Sequence, residues 1–174
     1  MRLIVLGVTM FAAACSGQAF DSATSPTKGP ARTAQSDTTA PLPFKGSFTL
    51  ASRGVVAFPT LTVTGTLEGT ATQLGRFTAS TTEVVDLPTA SGTGTYIFTA
   101  ANGDQMSTTV VGGEVSFTPP NVSTVVLVGT IVAGTGRFAG ATGTFTLGYA
   151  GAIDFASGTS SGSGTFEGFI NLKK

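Results

Sequence analysis

The residues able to perform acid–base or nucleophilic chemistry are few in this chain and widely spaced. It contains no histidine and one cysteine, Cys15, so Ser-His-Asp and Cys-His systems and imidazole metal sites are absent. The carboxylates after residue 42 fall near the ends and turns of separate segments: Glu68, Glu83, Asp86, Asp104, Glu114, Asp154 and Glu167. Charges at such positions keep strand edges from pairing and face water. We therefore predict no catalytic residue, no metal site and no cofactor.

Tyr96 and Tyr149 are the only tyrosines, and each lies on the apolar face of a predicted strand. A buried phenol needs a hydrogen-bond partner, which makes these rings unlike the other apolar positions. Together with Phe98 and Phe145 they are the candidate lining of a cavity for a small apolar ligand. Ordinary packing in a filled core is the alternative that the pattern leaves open.

Cys15 closes an apolar run, residues 3–14, that follows Arg2 and ends in three alanines. This arrangement is typical of a secretory signal, and the run is shorter than the about 20 residues that span a bilayer. Ala-Ala-Ala-Cys resembles the lipobox of bacterial lipoproteins, in which the cysteine becomes the acylated first residue. The resemblance implies a signal peptide over 1–14, lipid attachment at Cys15, and a membrane-anchored protein in the periplasm or at the cell surface. A plain secretory signal is the alternative.

The segment 15–42 has the composition of a disordered tether. Between Ser16 and Pro41 its one large apolar residue is Phe20, so the segment cannot bury enough surface to offset the entropy of ordering it. As a flexible coil, it would hold a following domain roughly 25–30 Å from the anchor.

Composition predicts an all-β domain over residues 43–174. Only 10% of residues are charged and 24 are glycine, whereas soluble proteins average about 25% charged. The formal net charge is zero, and without a basic cluster nucleic acid is excluded as a partner. The expected partners are the membrane, through the acyl anchor, and a small apolar ligand, with a homo-oligomer left open.

Apolar residues after residue 43 recur with a period of two, which indicates strands with one buried face. Asn102-Gly103 predicts a hairpin with a type I′ turn. Val122 to Val132 is almost continuously apolar, so we expect a strand buried on both faces or bent at Gly129. The predicted strands are 44–52, 60–74, 76–86, 92–100, 104–111, 114–117, 122–133, 137–149, 151–156 and 162–171, with some of them merging across bends.

Two segments echo each other, residues 74–81 and 135–142, and each places an arginine and a phenylalanine after a glycine turn. The interpretation is structural: glycine makes the turn, phenylalanine enters the core, and arginine covers the rim. A paired anion site at the two arginines is the sharper alternative. The turn residues are Gly75, Arg76, Phe77, Gly134, Gly136, Arg137 and Phe138.

Residues 131–143, Ile-Val-Ala-Gly-Thr-Gly-Arg-Phe-Ala-Gly-Ala-Thr-Gly, resemble a strand–turn–strand motif of plant dirigent proteins and allene oxide cyclases. The resemblance implies a small antiparallel barrel of about eight strands, often trimeric, with an apolar cavity; a β-sandwich is the alternative fold. No catalytic residue is carried over. We expect a non-catalytic binding or scaffold module, and the alternative is a cyclase-like or dirigent-like enzyme or carrier for a small apolar ligand.

Overall fold

Eight antiparallel strands close into a barrel in the computed structural model, which describes residues 40–173 and, at positions 113–115 and 117, only the backbone. The strands follow each other in chain order around the barrel, and β8 closes it by pairing with β1. The barrel prediction is confirmed and the sandwich alternative is wrong. The strands are β1 (Leu42–Ala57), β2 (Thr60–Ala71), β3 (Gly75–Asp86), β4 (Ser91–Ala100), β5 (Gln105–Thr118), β6 (Val122–Gly134), β7 (Thr142–Asp154) and β8 (Thr159–Asn171).

The predicted signal peptide, Cys15 and nearly all of the tether lie outside the described residues. Among residues 40–173, no helix has the length and apolar character required to cross a bilayer.

Several predicted strands merge, as expected. The segments 104–111 and 114–117 form one strand, β5, because a bulge shifts its pairing with β6 between Val111 and Glu114 without ending the ladder. The predicted strand at 137–149 begins too early, since Gly136–Phe138 is a short 3-10 helix and β7 starts only at Thr142.

The β4–β5 hairpin lies where Asn102-Gly103 predicts it, but its turn is of another type. Gly103 has a φ of +87° while Asn102 does not have a positive φ. The Gly103 amide donates to the Ala100 carbonyl, and the Ala100 amide donates to the Asp104 carbonyl. This is a type I turn followed by a left-handed glycine, the usual three-residue hairpin loop.

Phenylalanine rings fill the half of the barrel in which β1 begins, here called the packed end. Ring centroids there lie 4.7 Å apart for Phe44 and Phe166 and 5.8 Å apart for Phe98 and Phe166. Strand glycines make room for these rings: a Cβ at Gly46 would lie 2.9 Å from the Phe166 ring. The aromatic core therefore depends on large and small residues facing each other across neighbouring strands.

The apolar strand β6 is buried on one face only, so the predicted two-sided burial is wrong. Val125, Leu127 and Ile131 point into the barrel, and the residues between them point outward. A barrel has a single wall, and its outer surface is exposed wherever nothing covers it. The valines Val126, Val128 and Val132 are consequently 40–54% exposed.

Candidate functional site

The carboxyl group of Glu83 lies inside the barrel, which corrects the expectation that all the acids of the domain face water. Glu83 is only 6% exposed and belongs to the inward-facing row of β3. Its position in the strand register is opposite Gly94, where a Cβ would lie 2.9 Å from the Glu83 Cγ. The missing side chain at Gly94 therefore creates the space that the glutamate occupies.

Tyr96 is the hydrogen-bond donor to this carboxyl group. Its hydroxyl donates to Glu83 Oε1 from the neighbouring strand β4. The Tyr96 ring stacks on Phe98 at 6.3 Å between centroids, which places the pair at the boundary of the aromatic core. Thr108, buried on β5, donates its hydroxyl to the Tyr96 carbonyl at 3.2 Å. Three adjacent strands thus hold the Glu83–Tyr96 pair.

Tyr149 reaches the same region of the interior from β7. Burial raises the pKa of Tyr149 above its ordinary value of 10.0, and the negative charge of Glu83 raises it further. Burial likewise raises the pKa of Tyr96, with Glu83 and then Tyr149 as the next causes. The three groups are therefore close enough to affect each other's ionisation, and we call them the Glu–Tyr cluster.

Burial also raises the pKa of Glu83 above 4.5, while the hydrogen bond from Tyr96 acts in the opposite direction. A carboxylate can accept about four hydrogen bonds. Such a group beside two phenols can bind a hydroxyl or amine of a ligand, or exchange a proton with it.

Two open depressions mark the described surface, and none of the three cluster residues lines either one. The first, about 780 Å³, lies where β7 ends and β8 begins, next to Ser52 of β1 and beside Asn121 and Phe155. The second, about 700 Å³, lies on the outer wall formed by β1, β2 and β8. Within the cluster, Glu83 and Tyr96 are buried and Tyr149 is half-buried.

The four candidate cavity residues divide into two pairs. Phe98 and Phe145 belong to the packed aromatic core, with their ring centroids 6.2 Å apart. Tyr96 and Tyr149 belong to the Glu–Tyr cluster, and Tyr149 is the more exposed of the two. Sequence reasoning missed Glu83, although a signal existed: it follows Phe77, Ala79 and Thr81 at every second position, on the face of β3 that the phenylalanine buries.

The end opposite the packed end, here called the rim, exposes apolar side chains at its hairpin tips. Phe58 is 81% exposed and Phe155 is 70% exposed. The Leu87 amide donates to the Pro59 carbonyl and so joins two hairpin tips, and the Gly54 amide of β1 donates to the Gly158 carbonyl of a third. The rim thus forms a connected apolar border.

The two rim aspartates bond within their own loops. Asp86 accepts from the Thr89 amide and hydroxyl, and Asp154 accepts from the Ala156 amide and the Ser157 hydroxyl. These bonds lower the pKa of both carboxyl groups. The rim carboxylates therefore serve as loop caps.

The two echoed turns lie at the packed end and share a pattern. Gly75 and Gly136 both have left-handed φ values, +67° and +53°, and each precedes an exposed arginine and a buried phenylalanine, Phe77 or Phe138. Gly134 ends β6 just before the second turn.

Arg137 links the two turns. Its guanidinium donates to the Leu74 carbonyl at 3.3 Å and lies 4.8 Å from the centre of the Phe138 ring. Its backbone amide donates to Asp104. All three contacts of Arg137 are with residues in or next to the turns, which agrees with the structural interpretation. Arg76 is exposed at the start of β3.

Among the described residues, no three acids or other metal-binding side chains lie together. No protein-family model matches the chain, and no curated protein sequence matches it. A solved structure of a pterocarpan synthase dirigent protein is similar, with 14% identity and a TM-score of 0.39 over 76% of this chain and 92% of that chain. At this TM-score the similarity carries no functional argument, and the barrel assignment rests on the strand pairing.

Proposed function

We propose that this is an exported bacterial protein, anchored to a membrane through lipid on Cys15, whose barrel is a non-catalytic binding or scaffold module. The observation that carries the proposal is the difference between the two ends of the barrel. The packed end, where β1 begins, is filled by aromatic rings. The rim, at the opposite end of the barrel, exposes Phe58 and Phe155. An exposed apolar border is typical of a contact surface.

The anchor is tested by partitioning. Full-length protein expressed in a bacterium should enter the detergent phase, because each buried CH₂ of an acyl chain adds about 0.8 kcal/mol of membrane affinity. Cys15→Ser should remain in the aqueous phase or keep its signal peptide. Ser16→Ala serves as the matched control and should partition like the wild type. Equal partitioning of wild type and Cys15→Ser would contradict the anchor.

A second function is favoured by the Glu–Tyr cluster. In this alternative the barrel is a carrier or enzyme for a small, mainly apolar molecule whose polar group bonds to Glu83 in place of, or beside, the hydroxyl of Tyr96. Apolar walls with a few convergent polar groups are typical of such sites.

Thermal unfolding with a panel of fatty acids, phenolic compounds and divalent ions separates the two functions. A ligand at 100 times its Kd adds about 2.7 kcal/mol to stability. For the carrier or enzyme, we expect a phenolic compound or fatty acid to stabilise the wild type, with the shift lost in Glu83→Gln and kept in Glu68→Gln. For the module, no compound of the panel shifts the transition. A shift with calcium or zinc alone would contradict the apolar-ligand alternative.

A further inference from the structure

The Glu83 carboxyl group lies inside the barrel without a cation beside it. The lysines and arginines that the structure describes are all exposed: Lys45, Arg53, Arg76, Arg137 and Lys173. The hydrogen-bond partner of Glu83 is a neutral group, the hydroxyl of Tyr96. A carboxylate buried in a protein is ordinarily paired with a positive charge, because burial of an unpaired charge is costly. The described part of the chain supplies no such charge to Glu83.

Solvent reaches this acid from the rim. Inward-facing side chains farther from the rim, such as Phe44 and Leu147, are 0% exposed. Closer to Glu83, the inward-facing Val63 of β2 and Tyr149 of β7 are half-buried instead. The second carboxyl oxygen of Glu83, Oε2, accepts no hydrogen bond from the described residues, yet none of their buried polar side-chain atoms lacks a partner. Oε2 is therefore open to solvent.

We propose that a ligand supplies the missing positive charge: a small organic amine with an apolar body, which enters at the rim and donates from its ammonium group to Glu83. The aromatic rings beside the carboxyl favour an organic cation, because ammonium groups are attracted to the faces of such rings. Tyr96 and Tyr149 supply two rings, and Phe98 stacks on Tyr96 at 6.3 Å between centroids. This inference rests on the carrier or enzyme alternative of the proposed function and narrows its ligand class.

A metal ion and a neutral alcohol fit the Glu–Tyr cluster less well than an amine. A calcium or magnesium ion takes six or more oxygen ligands, whereas the cluster brings together one carboxyl and two phenols. An alcohol can donate to Glu83, but it leaves the charge of the carboxylate unbalanced, whereas an ammonium group balances it. The cluster therefore distinguishes an amine from an alcohol of the same shape.

2-Phenylethylamine and 2-phenylethanol are the matched probes, since they differ only in the amino and hydroxyl groups. Isothermal titration calorimetry of the full-length chain in a non-ionic detergent measures the binding of each at pH 8. We expect the amine to bind the wild type about tenfold more tightly than the alcohol, or better, because only the amine forms a charge pair. Glu83→Gln should lose this preference. Glu68→Gln, at an exposed position on β2, is the control and should keep it.

The pH dependence of amine binding gives a second readout. An alkylamine, like lysine with its pKa of about 10.4, stays protonated between about pH 5 and pH 8. Burial raises the pKa of the Glu83 carboxyl, and the amine binds its ionised form, so amine binding should weaken and release a proton as the pH falls. The titratable groups facing Glu83, Tyr96 and Tyr149, stay neutral throughout, since both have pKa values raised above 10.0. Alcohol binding should not change.

Tyr149→Leu keeps the test decisive if far-UV circular dichroism shows that Glu83→Gln does not fold. It removes one ring and should weaken amine binding by about threefold or more. Equal binding of amine and alcohol, or amine binding unchanged in both variants, would overturn the amine site. Stabilisation by a phenolic compound or fatty acid without binding of the amine would overturn the amine site and leave the carrier function standing. Absence of binding by all these compounds would overturn both.

Discussion

Phe98→Ala will lower the free energy of unfolding by about 3–5 kcal/mol, because it removes a fully buried ring and leaves a cavity that neighbours cannot fill. Phe98 contacts the rings of Phe44, Phe77, Phe145 and Phe166, with centroids 5.4–6.3 Å away. Urea unfolding followed by circular dichroism measures the loss.

Phe169→Ala is the matched control, since the same side chain on the outer wall is 59% exposed. It should cost less than about 1 kcal/mol. The echoed turns give a second comparison. Phe77→Ala and Phe138→Ala should each lower the free energy of unfolding by about 3–5 kcal/mol, as Phe98→Ala does. Arg76→Ala and Arg137→Ala should each lower it by about 1 kcal/mol or less. If the arginine changes proved more damaging than the phenylalanine changes, an anion site or buried ion pair would replace the structural interpretation of the turns.

The free energy of unfolding of the wild type, compared with that of Glu83→Gln, will fall as the pH rises above about 4.5. The reason is that burial raises the pKa of the Glu83 carboxyl in the folded protein. Below that pH the carboxyl is protonated in both states, so its contribution to stability is fully present. As the pH rises, the unfolded chain releases the proton first, and stability is lost until the folded carboxyl also ionises. Each unit of pKa difference corresponds to about 1.4 kcal/mol.

Urea unfolding of wild type and Glu83→Gln between pH 4 and pH 9 measures this difference. The lowered pKa values of Asp86, Asp104 and Asp154 act with the opposite sign, since their stabilisation is lost as the pH falls. Both proteins contain these groups, so their effect cancels in the comparison. Glu68→Gln, at an exposed position on β2, is the control. A difference between wild type and Glu83→Gln that does not change with pH would show that the carboxyl is solvated.

Tyr96→Phe extends the same experiment. It removes the donor to Glu83, and a hydrogen bond to a charged group contributes about 1.5–3 kcal/mol. The loss should therefore grow as the pH rises and the Glu83 carboxyl ionises. In the Glu83→Gln background the substitution should cost less and lose its pH dependence.

Alternation of side chains along the chain was sufficient to predict most of the fold. The row Phe44, Phe48 and Leu50 indicates a buried face of β1, and Asn102-Gly103 marks a turn, because both depend on local geometry alone. Phe77 and Phe138 follow for the same reason. The pattern is weaker at β5, where the bulge interrupts the period of two without ending the strand.

The sequence by itself determined that this chain forms strands, which residues alternate, and that histidine and cysteine chemistry is absent from residues 43–174. Only the tertiary structure decided which polar residue lies inside and which apolar residues lie outside. Glu83 is buried because Gly94 on the neighbouring strand leaves space beside a donor, Tyr96. Val128 is exposed because β8 closes on β1, which leaves a single-layered wall with one face to water. Both outcomes depend on contacts between residues distant in the chain, and a local pattern carries no information about such contacts.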